Sequence, residues 1–105
     1  MRKRNQAKQP NLLDYGTLNT AAEMLKLMGH PVRLRIVDIL TQGAYPVNEI
    51  AALCETAPHQ VSEHLRLMQH HGLLSSRREG RTVYYEIQSV RLPLRLDCIK
   101  KHCNL

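Results

Sequence analysis

The segment SRREGRTVYY, residues 76–85, contains three arginines. Arg77, Arg78 and Arg81 surround a Glu-Gly pair, and such a pair between two strand-like runs favours a tight β-hairpin turn. The planar guanidinium group donates paired, charge-assisted hydrogen bonds to phosphate oxygens. These residues therefore predict a hairpin whose tip binds the phosphates of a polyanion.

A second polar surface lies on the predicted helix before the hairpin, PHQVSEHLRLMQHHG. At about 100° per residue, Val61, Leu65 and Met68 fall on one side of this helix. The hydrogen-bonding side chains on the other side are His59, Ser62, Glu63, Arg66 and His70. This face is either ordinary solvated surface or a set of groups that reads bases, and the neighbouring arginines favour the second interpretation.

A third group of reactive side chains lies near the end of the chain, in SVRLPLRLDCIKKHC. Cys98 and His102 are four residues apart, a spacing at which adjacent helical turns can share one zinc-type ion. Two ligands are too few, so a site requires Asp97, Cys103, residues of a partner chain or residues of the polar segment at the start of the chain. A site with more cysteine sulfur ligands would suit trivalent arsenic. The alternative is a helix end without a ligand, with Cys103 packed in an apolar stripe.

Five helices and a hairpin must position these residues. TAAE, residues 20–23, has the form of a capping box and predicts a first helix that runs to Gly29. Pro31 opens a second helix that ends before Gly43. After a GAYP turn, Val47 starts a short third helix, VNEIAALCE, and Pro58 starts the fourth.

The third and fourth helices form a predicted helix-turn-helix, and the hairpin follows directly. This order predicts a winged helix-turn-helix fold, mainly α with a small β-hairpin, arranged α-α-α-α-β-β-α. The hairpin is then the wing, which contacts the phosphates of the DNA backbone.

The last predicted helix carries a continuous apolar stripe that includes Leu92, Leu96 and Ile99. A chain of 105 residues has little core of its own to cover such a stripe. We therefore expect a homodimer.

Composition restricts the partners and the location of the chain. The formal net charge is +6, with a pI of about 9.6, which favours nucleic acid or anionic membrane surfaces. No apolar run approaches the about 18 residues of a membrane span, and an odd number of cysteines argues against a disulfide framework. We expect a soluble cytoplasmic protein with reduced thiols, in which residues 1–16 are a flexible basic arm and 17–105 form one domain.

Four segments together resemble a known family in order and spacing: LKLMGHPVRLRIVDIL, VNEIAAL, VSEHLRLMQHHGLL and RREGRTVYYEI. They are similar to the ArsR/SmtB family of bacterial winged-helix repressors, over about residues 21–87. The resemblance implies a dimer built from the first and last helices and a recognition helix in the major groove. It also implies repression that is released by a metal ion, a metalloid or a thiol oxidant.

The resemblance also assigns roles to residues of the fourth helix and the wing. The base-facing positions of the family fall on His59, Ser62 and Glu63, with Gln60 and His64 beside them. The wing positions fall on Arg78 and Arg81, with Arg77 nearby.

Some family positions do not match. Ala57 replaces a serine or threonine cap, and the sensing sites of the family transfer poorly, since Asp38 and Asn48 stand where sulfur ligands are expected. On the last helix, only His102 matches the family's zinc ligands.

The sequence therefore predicts a homodimeric repressor of double-stranded operator DNA. No cofactor is certain, and a zinc-like ion or arsenite is the candidate inducer. The alternative is a winged-helix module that binds protein or RNA without reading bases. An enzyme is not expected, because Cys54 is predicted to be buried and no glycine-rich phosphate loop or paired-carboxylate motif is present.

Overall fold

The computed structural model describes residues 9–88. Its elements are α1 (Tyr15–Met28), α2 (Pro31–Leu40), β1 (Tyr45–Pro46), α3 (Val47–Cys54), α4 (Pro58–His70), β2 (Leu74–Glu79) and β3 (Thr82–Ile87). The predicted last helix, with Leu92, Leu96 and Ile99, lies outside the described residues, as do residues 1–8 of the predicted arm. No helix within 9–88 combines the length and the apolar character needed to cross a membrane.

One apolar core joins the helices to the base of the hairpin. Ile36 of α2, Ile50 of α3 and Leu65 of α4 are all 0% exposed and lie in the same cluster. Within residues 9–88 no polar or charged residue is buried. Burial of these aliphatic side chains, each contributing about 1.5–3 kcal/mol, therefore fixes how the helix-turn-helix sits on α2. The inward face predicted for α4, with Val61, Leu65 and Met68, is confirmed.

The hairpin forms the predicted wing, but its turn lies one residue later than expected. Leu74 pairs with Ile87 and Glu79 pairs with Thr82, so the two-residue loop is Gly80-Arg81 rather than Glu79-Gly80. Gly80 has φ +67°, a conformation that glycine adopts without a steric penalty. Because the glycine takes the first loop position, Arg81 lies in the turn itself.

A third strand, β1, was not predicted. Tyr45 and Pro46 pair with Tyr85 and Tyr84, which gives an antiparallel sheet of order β1-β3-β2. The sequence suggested only a turn here, because two residues are too few to show an alternating pattern. The short strand ties the start of α3 to the wing.

Helix α1 begins at Tyr15, earlier than the capping box at Thr20 suggested. Asp14 is the N-cap: its Oδ2 accepts a hydrogen bond from the Thr17 backbone N–H at 3.2 Å, and its Oδ1 accepts one from the Thr17 hydroxyl at 2.7 Å. Asp14 takes the role predicted for Thr20, so the helix includes Tyr15 and Gly16, which the sequence had assigned to the arm.

The tight turn between α3 and α4 sets the angle of the helix-turn-helix. Glu55 ends α3 in the left-handed region, with φ 54° and ψ 43°, and the Thr56 N–H donates back to the Ala51 carbonyl at 3.1 Å. Helix α4 then starts after Ala57, whose side chain caps no backbone N–H, as predicted.

Candidate DNA-binding surface

Helix α4 presents a polar face directly opposite the core. Val61, Leu65 and Met68 are each 0% exposed and fix the rotation of the helix. The polar residues that point away from them and are exposed are His59, Gln60, Glu63 and Arg66, and Ser62 beside them is half-buried. These side chains lie along almost two turns of the helix, so a groove that admits an α-helix would meet several of them at once.

One side of α4 is attached to the wing. The Gln69 amide Nε2 donates a hydrogen bond to the Ser76 hydroxyl on β2 at 3.2 Å. Ser62 precedes Gln69 by seven residues and therefore shares its side of the helix. The exposed face of α4 and the wing thus form one continuous surface, and sequence spacing did not reveal this connection.

The other side of α4 is held by α2 through His64. Its Nδ1 accepts a hydrogen bond from Arg33 Nε at 3.2 Å, and its ring lies 4.5 Å from that of His30, between centroids. Burial, followed by the electrostatic effects of His30 and Arg33, lowers the pKa of His64. His64 was predicted to lie beside the base-reading residues, but the structure places it in the junction between α2 and α4.

The three wing arginines point in different directions. Arg77 lies opposite Tyr84 and has its guanidinium carbon 5.4 Å from the centre of that ring. Its guanidinium forms an ion pair with Glu79 and lies 3.9 Å from Glu86 Oε2. Arg77 is therefore occupied by groups of the wing itself.

Arg78 and Arg81 differ from Arg77. Arg78 follows Arg77 in β2, so its side chain is on the opposite face of the sheet, which it shares with Ser76. Arg81 is exposed in the turn. Within residues 9–88 neither arginine forms an ion pair, so both keep their donors for an external anion.

The predicted metal ligands Cys98, His102 and Cys103 lie outside the described residues. Among residues 9–88, no group of three or more His, Cys, Asp or Glu side chains could hold a metal ion. Cys54 is half-buried rather than buried, because it is the last residue of α3. Burial raises the pKa of its thiol, an effect that nearby Arg35 partly offsets, so the thiol stays protonated and weakly reactive.

Comparisons with known proteins agree with this geometry. A helix-turn-helix domain model matches residues 28–77. Transcriptional repressor PagR of Bacillus anthracis is 33% identical, over 76% of this chain and 81% of PagR. A transcriptional repressor SmtB homologue of Synechocystis is 30% identical over 75% of this chain, which spans 60% of that relative's length.

A solved structure gives the same result. Mb0332 of Mycobacterium bovis is described as a homodimeric winged helix-turn-helix DNA-binding domain and a possible ArsR-family transcriptional regulator. Its solved fragment, residues 1–100, superposes with a TM-score of 0.74 at 27% identity, covering 86% of this chain and 83% of the fragment. The chain belongs to the ArsR/SmtB family. As a member of the ArsR/SmtB family, it is a DNA-binding transcriptional regulator and not an enzyme.

The different settings of the wing arginines predict different salt responses. Arg81→Ala should weaken binding to all DNA and flatten the salt dependence by about one phosphate contact per subunit. Arg77→Ala removes the same charge from a side chain already paired with Glu79, so its slope should change less. Fluorescence anisotropy of a labelled duplex over a series of salt concentrations measures both slopes. A larger change for Arg77→Ala than for Arg81→Ala would contradict this view of the wing.

Proposed function

We propose that the protein is a homodimeric repressor that recognises a specific operator through α4 and positions itself through the wing. The observation that supports this most directly is the exposed row His59, Glu63 and Arg66, set opposite a fully buried face. A helix with such a row, next to a basic wing, suits the major groove of DNA.

Direct reading of bases would come from the first two turns of α4. His59, Ser62 and Glu63 lie there, and Gln60 flanks them on the side facing α2. A carboxylate accepts a hydrogen bond from the amino group of cytosine, and a glutamine forms paired bonds with adenine. Glu63 is the strongest candidate for selecting one base sequence over another. Its negative charge is repelled by DNA phosphates, so its position on the helix is favourable only where a base donates a hydrogen bond to the carboxylate.

Phosphate contacts would come from Arg78 and Arg81. They are on or next to the hairpin turn and make no ion pair within residues 9–88. Arg66 lies along α4 between Glu63 and Gln69, the residue that contacts the wing. Such contacts fix register and orientation, whereas base contacts specify the sequence.

Dimerisation is supported by an apolar row on α1. Tyr15, Leu18 and Leu25 recur at helical spacing and are 80%, 39% and 69% exposed. Together with the predicted stripe Leu92, Leu96 and Ile99, this row would cover the same row of a second copy. Two recognition helices would then read half-sites about one DNA turn apart.

A chemical signal would act through Cys98 and His102, with Cys103 or Asp97 as a third ligand. The support is their spacing in the sequence and the lack of another ligand cluster in the part of the chain that the structure describes. A zinc-like ion or arsenite is the proposed inducer. Release requires that the inducer bind the arrangement unable to bind DNA more tightly than the competent one. Since operator DNA on a chromosome lies in the cytoplasm, the protein would act there.

Selection of duplexes from a random pool tests the base-reading role of α4. The wild type should enrich one palindrome, and His59→Ala or Glu63→Ala should change which sequence is preferred, at about 1–3 kcal/mol per lost base contact. Glu23→Ala on α1 removes the same charge away from this face and should retain the wild-type preference.

The alternative function makes the opposite prediction. A winged-helix module that binds protein or RNA would show weak DNA binding without a preferred sequence. An unenriched pool for the wild type, or unchanged preference in both α4 variants, would therefore reject α4 as the reader.

Leu25→Glu tests the dimer without disturbing the core of one chain. Leu25 is 69% exposed in the single chain, so a charge there should leave the fold intact but separate the protomers. Leu53→Glu places the same charge at a leucine of α3 that is 48% exposed and should leave the dimer intact. Sedimentation velocity distinguishes the two. A monomeric wild type, or a dimeric Leu25→Glu variant, would overturn this interface.

The inducer site is tested by titrating operator-bound protein with zinc, cadmium, copper(I) and arsenite. At least one ion should release the wild type, and the Cys98→Ser, His102→Ala double variant should stay bound. If no ion acts, or if both proteins respond equally, these residues are not the sensor.

A further inference from the structure

A small polar junction connects three helices behind the exposed face of α4. Arg33 of α2 donates through Nη1 to the carbonyl of Leu27 near the end of α1, at 3.0 Å. Its Nε donates to His64 Nδ1 of α4 at 3.2 Å. His30, the N-cap of α2, places its ring 4.5 Å from the ring of His64. One arginine and two imidazoles thus link α4 to α1 and α2.

Both imidazoles act as hydrogen-bond acceptors. His30 Nδ1 accepts from the Val32 backbone N–H at 3.2 Å, and His64 Nδ1 accepts from Arg33. A ring nitrogen accepts a hydrogen bond only when it carries no proton, so each neutral ring has its proton on Nε2. Protonation would place an N–H against another N–H at either position and add a cation beside Arg33.

We infer that His30, Arg33 and His64 form an acid-sensitive latch, which positions α4 for DNA while its hydrogen bonds are intact and weakens DNA binding when protonation of His64 breaks the bond from Arg33. The inference rests on the proposed function only in using DNA affinity as a readout. The residues act as positioning residues, since His64 faces α2 rather than the exposed row.

The charges around His64 come from several elements. Arg33 and His30 face it from α2, and both disfavour a proton on its ring. Glu63, its neighbour on α4, opposes them. Glu23 and Lys26 of α1 and His71 after α4 line the adjoining groove beside Arg33. The direct neighbours of His64 therefore include two basic side chains and one carboxylate.

The direction of the acid effect follows from burial and these neighbours. Burial, then His30 and Arg33, hold the pKa of His64 below its ordinary value of 6.5. As the pH falls below that value, the His64 imidazole binds a proton in the unfolded chain but not yet in the folded chain. The free energy of unfolding therefore decreases as the pH falls. The loss is complete once the pH reaches the lowered pKa of the folded state.

Electrostatics alone predicts the opposite trend for DNA binding. A protein gains positive charge in acid, which should strengthen its contact with phosphates. A latch that releases α4 should instead weaken binding. The sign of the pH dependence therefore separates the latch from a general charge effect.

The test uses the full chain and the His30→Asn, His64→Asn double variant. Asparagine retains an acceptor oxygen, is a favoured N-cap and does not titrate. Affinity for the selected duplex is measured from about pH 8 to about pH 5.5, the range in which imidazoles ordinarily titrate. The wild type should lose roughly threefold to tenfold, equivalent to up to about one unit of pKa difference. Relative to its own affinity at high pH, the double variant should lose less than half of this.

A matched control and a second readout separate the outcomes. His70→Asn removes an exposed imidazole from the same helix and should retain the acid-induced fall. If the wild type binds at high pH and acid leaves its affinity unchanged or raises it, the latch is wrong. If no specific duplex is found, the proposed function fails, and urea unfolding over the same pH range tests the latch alone. Equal loss of stability in the wild type and the double variant would then overturn it.

Discussion

The geometry of this regulator depends on one buried pair, Leu73 and Leu74, which are each 1% exposed. The Leu73 N–H donates to the Met68 carbonyl at 3.0 Å and so closes α4, while the Leu73 carbonyl accepts from the Gln88 N–H at 2.8 Å beyond β3. Leu74 begins β2 in the same core. Because two adjacent leucines anchor both elements, the exposed face of α4 and the wing cannot shift independently.

Polar contacts then adjust an orientation that apolar burial has already set. Gln69 joins α4 to Ser76 of the wing, and Arg33 joins it to α1 and α2. Neither contact is deeply buried, and a typical hydrogen bond contributes only about 0.5–1.5 kcal/mol. Changes at these positions should therefore alter how α4 is presented without unfolding the core. Apolar burial therefore keeps the scaffold rigid, while the polar contacts determine how the exposed face of α4 is oriented.

Sequence periodicity predicted what burial determines, and it missed what depends on three-dimensional proximity. The inward face of α4 followed from helical spacing, and Val61, Leu65 and Met68 are each buried as predicted. Strand β1 was missed because two residues carry no period. The contact of His64 with Arg33 was missed because the two residues are 31 positions apart in the sequence, so only the packing of α2 on α4 reveals it. Arg77 was grouped with Arg78 and Arg81 because the sequence does not show the cross-strand position of Glu86.

The central claim, that α4 and the wing turn together form the DNA-binding surface, is tested most directly by an NMR titration of the ¹⁵N-labelled full chain with the duplex it selects. The largest shift changes should fall on His59, Ser62, Glu63 and Arg66 and on the Gly80-Arg81 turn, whereas the outer face of α1 should change little. Shift changes concentrated on α1 or α2, with the exposed residues of α4 unaffected, would contradict the account.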